Sequence, residues 1–241
     1  MSRKPLLNQY KPGLPEAVQL LGDCHPLLEQ LGSAEGLFTL SGMAVSLRLP
    51  KVDSLAALAQ FLEAYQSQIL LPLELPSIYR AHQHASRNEA RELVALDLEM
   101  TAQRRHRGLP AASRRVGRSQ LQRLRPLRDA RVVQRYLQAV EEENAHAWHT
   151  LVYGLTLAIY SLPVRQGLLS YARQTFNGFI QAAARPLRLS VAQCGTLLEA
   201  LCAGLPTKLE PILTEVLVTS PPADRFVPRR TLKIPRLSTQ N

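Results

Sequence analysis

Aromatic residues are scarce in this chain, at 5% of its 241 positions, so the 46% that is hydrophobic rests on Leu, Ala and Val. Leu and Ala are good helix formers, and such a composition favours a core of packed helices. Cysteine is equally sparse: Cys24, Cys194 and Cys202. No two of these have the spacing of a metal knuckle, and three thiols do not make a disulfide framework. They read as reduced thiols, two of them in helix cores. No uninterrupted apolar run reaches the roughly 18 residues a membrane span needs. Met1 to Tyr10 lacks the apolar stretch of a signal peptide. The expectation is a cytoplasmic protein with no membrane contact. The phosphate-cradling patterns GxxxxGK[ST] and GxGxxG are missing, and so is the GxSxG elbow. These absences weigh against an enzyme. No catalytic residue, cofactor or metal is assigned.

The charge is unevenly placed. The chain carries a formal net charge of +10, and residues 101–135 hold eleven arginines, no lysine and a single acid, Asp129. That window alone accounts for the excess. Residues 221–241 add five basic residues against Asp224, which leaves the other segments net acidic. A polarised molecule of this kind argues for a binding face.

Hydrophobic spacing gives the architecture. Residues 1–15, with Pro5, Pro12, Gly13 and Pro15, read as an irregular arm. A first helix covers about 15–32, and Gly36 to Gly42 reads as a tight loop. Asp53 is an expected N-cap with Val52 as its hydrophobic staple. Leu55, Leu58, Leu62, Tyr65 and Ile69 follow at helical spacing up to Pro72. Pro76 fits a first turn, and Asn88 is placed to cap a helix burying Leu93, Leu96 and Met100. Gly108 to Pro110 break that helix. The next spans 111–127, and Asp129 caps another carrying Val132, Val133, Tyr136, Leu137 and Val140. Further helices run from Asn144 to Ser161, through Leu168 to Ala183, from a Ser190 cap to Gly204, and over 207–218. The tail from Ser220 holds four prolines and reads as extended. The fold class is therefore all-α: a single globular bundle of about nine or ten helices over 16–219, between the arm at 1–15 and a basic tail at 220–241.

His146 and His149, with Glu142 and Glu143 a turn earlier, offer at most one face of a metal site, and no second cluster completes it. Cys24-His25 is an equally weak pair. The arginine stretch says more. On the helix near 111–127, Ser113, Val116, Gly117, Leu121 and Leu124 share a face. Ser113 and Gly117 are small and a turn apart, which permits a close neighbour, and a mid-helix Gly otherwise costs up to about 1 kcal/mol against Ala. Arg114, Arg118 and Arg125 lie on the adjacent face. Arginine's planar fork suits carboxylates and phosphates alike, so an acidic protein and a nucleic acid both qualify as partners. Nucleic-acid modules interleave stacking aromatics with their basic residues, and residues 101–135 contain none, which favours the protein.

The order of these features resembles the UreF family of urease accessory proteins. Leu27 to Ser33, then Gly36-Leu-Phe-Thr-Leu-Ser-Gly42, looks like the family's leucine run, its serine and its Gly-Gly-Phe-x-His-Ser-x-Gly-Leu-Glu loop. Ser33, Gly36, Phe38, Ser41 and Gly42 are the matching positions. Leu37, Leu40 and Ala44-Val45 depart from the loop. Ala112-Ser-Arg-Arg-Val-Gly-Arg118 is similar to the family's Ala-Ser-x-x-x-Gly helix, through Ser113 and Gly117. His149, Gly154 and Tyr171 through Leu198 resemble its later helices, although Arg188 to Gly195 replace a Pro-Leu-Gly-Gln-Thr-Asp-Gly-Gln run. The resemblance covers roughly 27–215. It implies an all-α, non-catalytic protein that forms a homodimer and binds the UreD/UreH scaffold. It also implies recruitment of the GTPase UreG and modulation of its GTP hydrolysis during nickel insertion into the urease apoprotein. The family's carboxy-terminal segment docks on the scaffold, and Arg229, Arg230 and Arg236 stand in the corresponding stretch here. Arg114, Arg115, Arg118 and Arg125 are the other partner-binding candidates. Two alternatives remain open on the residues: a nucleic-acid-binding protein using 101–135, and a UreF-like scaffold without urease partners.

Overall fold

The structure is a computed structural model and describes residues 41–102 and 110–218, all helices and turns. Residues 41–46 are helical and lead to α1 (Leu55–Tyr65), which continues into a π-helical stretch at Gln66–Glu74. α2 (Leu75–Ser86), α3 (Ala90–Ala102), α4 (Pro110–Arg123), α5 (Arg131–Glu141) and α6 (His149–Ile159) follow. α7 (Val164–Ala184), α8 (Val191–Ala203) and α9 (Leu205–Val218) complete the described chain. The all-α class expected from the sequence is what forms.

Periodicity becomes packing directly in several helices. α5 buries Val132, Val133, Tyr136, Leu137 and Val140, the face its 3.6-residue spacing predicts. α7 buries Leu168, Tyr171, Phe176 and Phe179. Phe179 meets Phe61 and Tyr65 of α1 edge-on, at centroid separations of 5.6 and 4.9 Å, the arrangement that ring quadrupoles favour. Ser190 caps α8 through a capping box with Gln193.

Two hydrophobic clusters divide the interior. One gathers α1, α7, α8 and α9 with Leu75, Ile78 and Tyr79 of α2 and Tyr153 and Leu157 of α6. The other gathers α3 and α5 with Leu121 of α4, Ala81 and Ala85 of α2, and Leu151, Val152 and Leu155 of α6. α2 and α6 thus form the wall common to both. They approach closely because Gly154 lacks a side chain: a Cβ there would lie 2.3 Å from the Ile78 carbonyl oxygen.

Several boundaries differ from expectation. Ser54, not Asp53, caps α1, its Oγ accepting from Ala57 N at 3.2 Å. Val52 is buried, but it stands two residues ahead of that cap instead of one. Pro72 does not end a helix. It sits inside the π-helical stretch, where the wider turn closes with Leu75 N donating to the Leu70 carbonyl, so the missing proline N–H is absorbed. Asn88 is the left-handed residue that ends α2 (φ 58), not the cap of α3. Its N–H donates to Ala85 O at 3.0 Å, and Glu89 N to His84 O at 2.8 Å, the pairing of a Schellman motif. α4 stops at Arg123, short of 127, and α5 is capped by Ala130 without a side-chain bond, leaving Asp129 exposed. Ser41 and Gly42 are helical, not loop. The arm, the first helix, the 36–40 part of the loop and the tail lie outside the described residues, as do Ser33, Gly36, Phe38, Arg229, Arg230 and Arg236.

Candidate partner-binding surface

α4 meets the entrance of α6 through its two small residues. Ser113 Oγ accepts from His149 N at 3.2 Å, satisfying one of the amides that a helix start leaves unpaired. At Gly117 a Cβ would lie 1.9 Å from the Ala147 carbonyl oxygen and 2.8 Å from His149 N. Only glycine lets the backbone of α4 come this near. Between them, Arg114 lays its guanidinium 4.8 Å above the Trp148 ring, a cation–π contact. Arg114 is therefore half-buried and committed to the fold, with its Nε enclosed.

The segment before α6 is irregular, although the spacing of Trp148, Val152, Leu155 and Ile159 predicts helix from Asn144. Its organiser is Asp97 on α3, a fully buried carboxylate. Asp97 Oδ1 accepts from His146 N at 2.8 Å; Oδ2 accepts from Ala147 N at 2.9 Å and from Tyr136 Oη at 2.6 Å. Those amides cannot also join helical bonds, so the chain stays open and Ala147 takes φ 57. Burial, then the adjacent Asp97 charge, pushes the Tyr136 hydroxyl pKa well above its usual range. Thr101 accepts from Trp148 Nε1 at 2.9 Å and completes the joint. Sequence reasoning passed over Asp97 because a lone acid on a helix reads as solvated. The available signal is its register, four residues after Leu93 and three before Met100, on the buried side of α3.

The arginines divide into two sets. Arg125 pairs with Glu141 and is braced by Gln122 Oε1 at 3.0 Å. Arg115, Arg118, Arg123, Arg128, Arg131 and Arg135 are exposed and carry no ion pair among the described residues. The structure therefore brings Arg115 and Arg118 to solvent without an ion pair among the described residues, while Arg114 lies half-buried over Trp148 and the exposed Arg125 is paired with Glu141.

The helices that carry these groups match a family model: the UreF model covers residues 52–202. This chain belongs to the UreF family. Among curated proteins none matches it. The UreF match takes in Ser113 and Gly117 with the whole of α4 to α6, but begins after the Ser33 to Gly42 positions and ends before α9. UreF proteins serve as urease accessory proteins, so an accessory function in urease maturation follows from membership.

A second polar cluster lies inside this UreF fold. Glu74, at the end of the π-helical stretch, accepts from Tyr65 Oη at 2.8 Å and is also hydrogen-bonded by Tyr171. Its Oε2 is enclosed without a partner. Burial is the main cause that pushes its pKa up to about 7, and the two tyrosine bonds oppose that. His149 stands beside Tyr171 and Tyr153, at ring separations of 5.7 and 6.3 Å, so it is a buried packing residue. Among the described residues no group of three or more metal-ligating side chains occurs, and no helix is long and apolar enough to cross a membrane. Cys194 is buried and Cys202 half-buried, both as free thiols.

Proposed function

We propose that this UreF-family protein is a non-catalytic scaffold in urease maturation. It bridges a UreD/UreH-type scaffold protein and the GTPase UreG, and modulates GTP hydrolysis while nickel is inserted into the urease apoprotein. The family match across residues 52–202 carries this reading. It engages its partners as a homodimer, through the exposed arginines of α4, Arg115 and Arg118, and through Arg229, Arg230 and Arg236 of the tail. Arg114 acts behind that surface by covering Trp148, and Arg125 is occupied at the surface by its pair with Glu141. Nickel and GTP belong to the partners, so no cofactor site on this chain is required.

Co-expression with UreD and UreG homologues and urease subunits from the same genome tests the proposal. A complex that survives size exclusion at physiological salt, together with urease activation that depends on this chain, is the expected result. Absence of any complex at modest salt would overturn it. The residue test is Arg115→Glu with Arg118→Glu, both exposed, which should abolish the complex and leave the circular dichroism unchanged. Arg114→Glu is unsuited to that purpose, because it would remove the cover from Trp148.

A further inference from the structure

We infer that the turn end of the α4–α5 hairpin is a preorganised docking surface for an acidic protein partner. The inference rests on the reading that this chain works by binding other proteins, and not on which proteins they are. Arg118 and Arg123 on α4, Arg128 in the turn, and Arg131 and Arg135 on α5 surround this end. The acid among them is Asp129, itself exposed. Like charges this close along the chain repel one another, and none of the five arginines has an ion pair among the described residues. A surface left in that state is complementary to carboxylates supplied from outside.

The hairpin is rigid beneath its arginines. Gln134 Nε2 donates to the carbonyl oxygens of Arg125 and Leu127, both at 3.0 Å, which fixes the turn on the first helical turn of α5. Arg125 crosses to Glu141 and ties the end of α4 along α5. Leu121, Leu124, Val132 and Val133 are buried below. A frame fixed in advance lowers the ordering cost of binding, and arginine's planar fork then meets carboxylates two bonds at a time.

The same observations disfavour nucleic acid. None of the exposed residues of α4, the turn or α5 is aromatic, because Tyr136 is buried and Trp148 lies under Arg114. A stacking platform for bases is therefore missing here. The far end of α5 exposes Glu142 and Glu143 beside the paired Glu141. A duplex laid along the hairpin would carry its phosphates onto those carboxylates, whereas a protein of mixed surface can match both ends.

Fluorescein-labelled polyglutamate is the acidic probe, titrated into the full chain at physiological salt and followed by anisotropy. A DNA duplex and oligouridine of similar length are the rival probes. The triple variant R118Q/R123Q/R131Q should weaken polyglutamate binding about tenfold or more. R165Q/R173Q/R185Q, on α7 and at its C-cap, removes the same charge and should change it by less than about twofold. Equal losses in the two triple variants would reduce the effect to bulk charge and overturn the inference. Tighter binding of either nucleic acid than of polyglutamate, lost in R118Q/R123Q/R131Q, would reassign the surface. Should that triple variant unfold, R118Q and R131Q singly should each give about a threefold loss, and wild-type affinity in both would sink the proposal. The probes are synthetic, so failure to assemble with urease proteins and failure of this surface are separate results.

Discussion

Glu74 is a carboxyl with one oxygen satisfied and the other enclosed without a partner. Its ordinary value of 4.5 rises to about 7 in the fold. Between those values the folded chain holds a proton that the unfolded chain has released. Stability from this group is thus full below pH 4.5 and is lost as the pH rises towards 7 and beyond, by at most about 3 kcal/mol. Glu74→Gln keeps the shape and removes the titration. In urea unfolding, wild type should lose roughly 2–3 kcal/mol relative to that variant between pH 5 and pH 8.5; a constant gap would mean that Glu74 ionises normally. At Gly117 the constraint is steric. Gly117→Ala would thrust a methyl to 1.9 Å from the backbone oxygen of Ala147, an atom that Asp97's grip on the Ala147 and His146 amides keeps from yielding. The expected cost is about 3 kcal/mol or more, read from urea midpoints at constant slope.

At the level of helices, the ends break a habit. Five segments close on Schellman pairings with Arg48, Asn88, Glu143, Ser161 and Arg188 at φ between 53 and 63, and no described glycine has positive φ. Glycine is kept for close approaches such as Gly117 and Gly154. Gly204, at the end of α8 as the sequence suggests, has φ −89. The left-handed region costs most residues roughly 1 kcal/mol. Ser161 is exposed, so Ser161→Gly should raise the melting temperature by about 2–4 °C; a decrease would show that its side chain is holding the turn. The helices themselves are legible in sequence because a 3.6-residue apolar spacing needs only local information. Their ends are less so, since Asp53 and Ser54 are equally good caps one residue apart, and Asn88 suits the left-handed end of one helix as well as the cap of the next. The buried carboxylates are illegible for a different reason. Asp97 is defined by Tyr136 and Ala147, 39 and 50 residues away, and Glu74 by Tyr171 on another helix. Locally both look like surface acids. The arginine surface was half legible: composition located it, but only the fold shows that Arg114 lies over Trp148 and that Arg125 is paired with Glu141, while Arg115 and Arg118 have no ion pair among the described residues.

For the molecule as a whole, the division of the interior raises the question of how many folding units it contains. The two clusters share α2 and α6, and neither can lose those helices without exposing the other. Ile78 and Tyr79 serve one cluster and Ala81 and Ala85 the other, within about two turns of α2. A split between the clusters would have to tear one helix lengthwise, which a continuous backbone hydrogen-bond ladder resists. One cooperative transition follows. The chain supplies its own reporters. Its single tryptophan, Trp148, lies in the α3–α5–α6 cluster with Tyr136, while Tyr65, Tyr79, Tyr153 and Tyr171 lie in the other and dominate the buried tyrosine signal. Tryptophan fluorescence and tyrosine absorbance should therefore trace urea curves with the same midpoint and slope. Gly154→Ala, which drives a methyl to 2.3 Å from Ile78 O in the shared wall, should lower both midpoints together. Separated midpoints in the wild type would mean that the α2–α6 wall joins two units that fold apart, and a Gly154→Ala variant that moves only one of them would say which unit owns the wall.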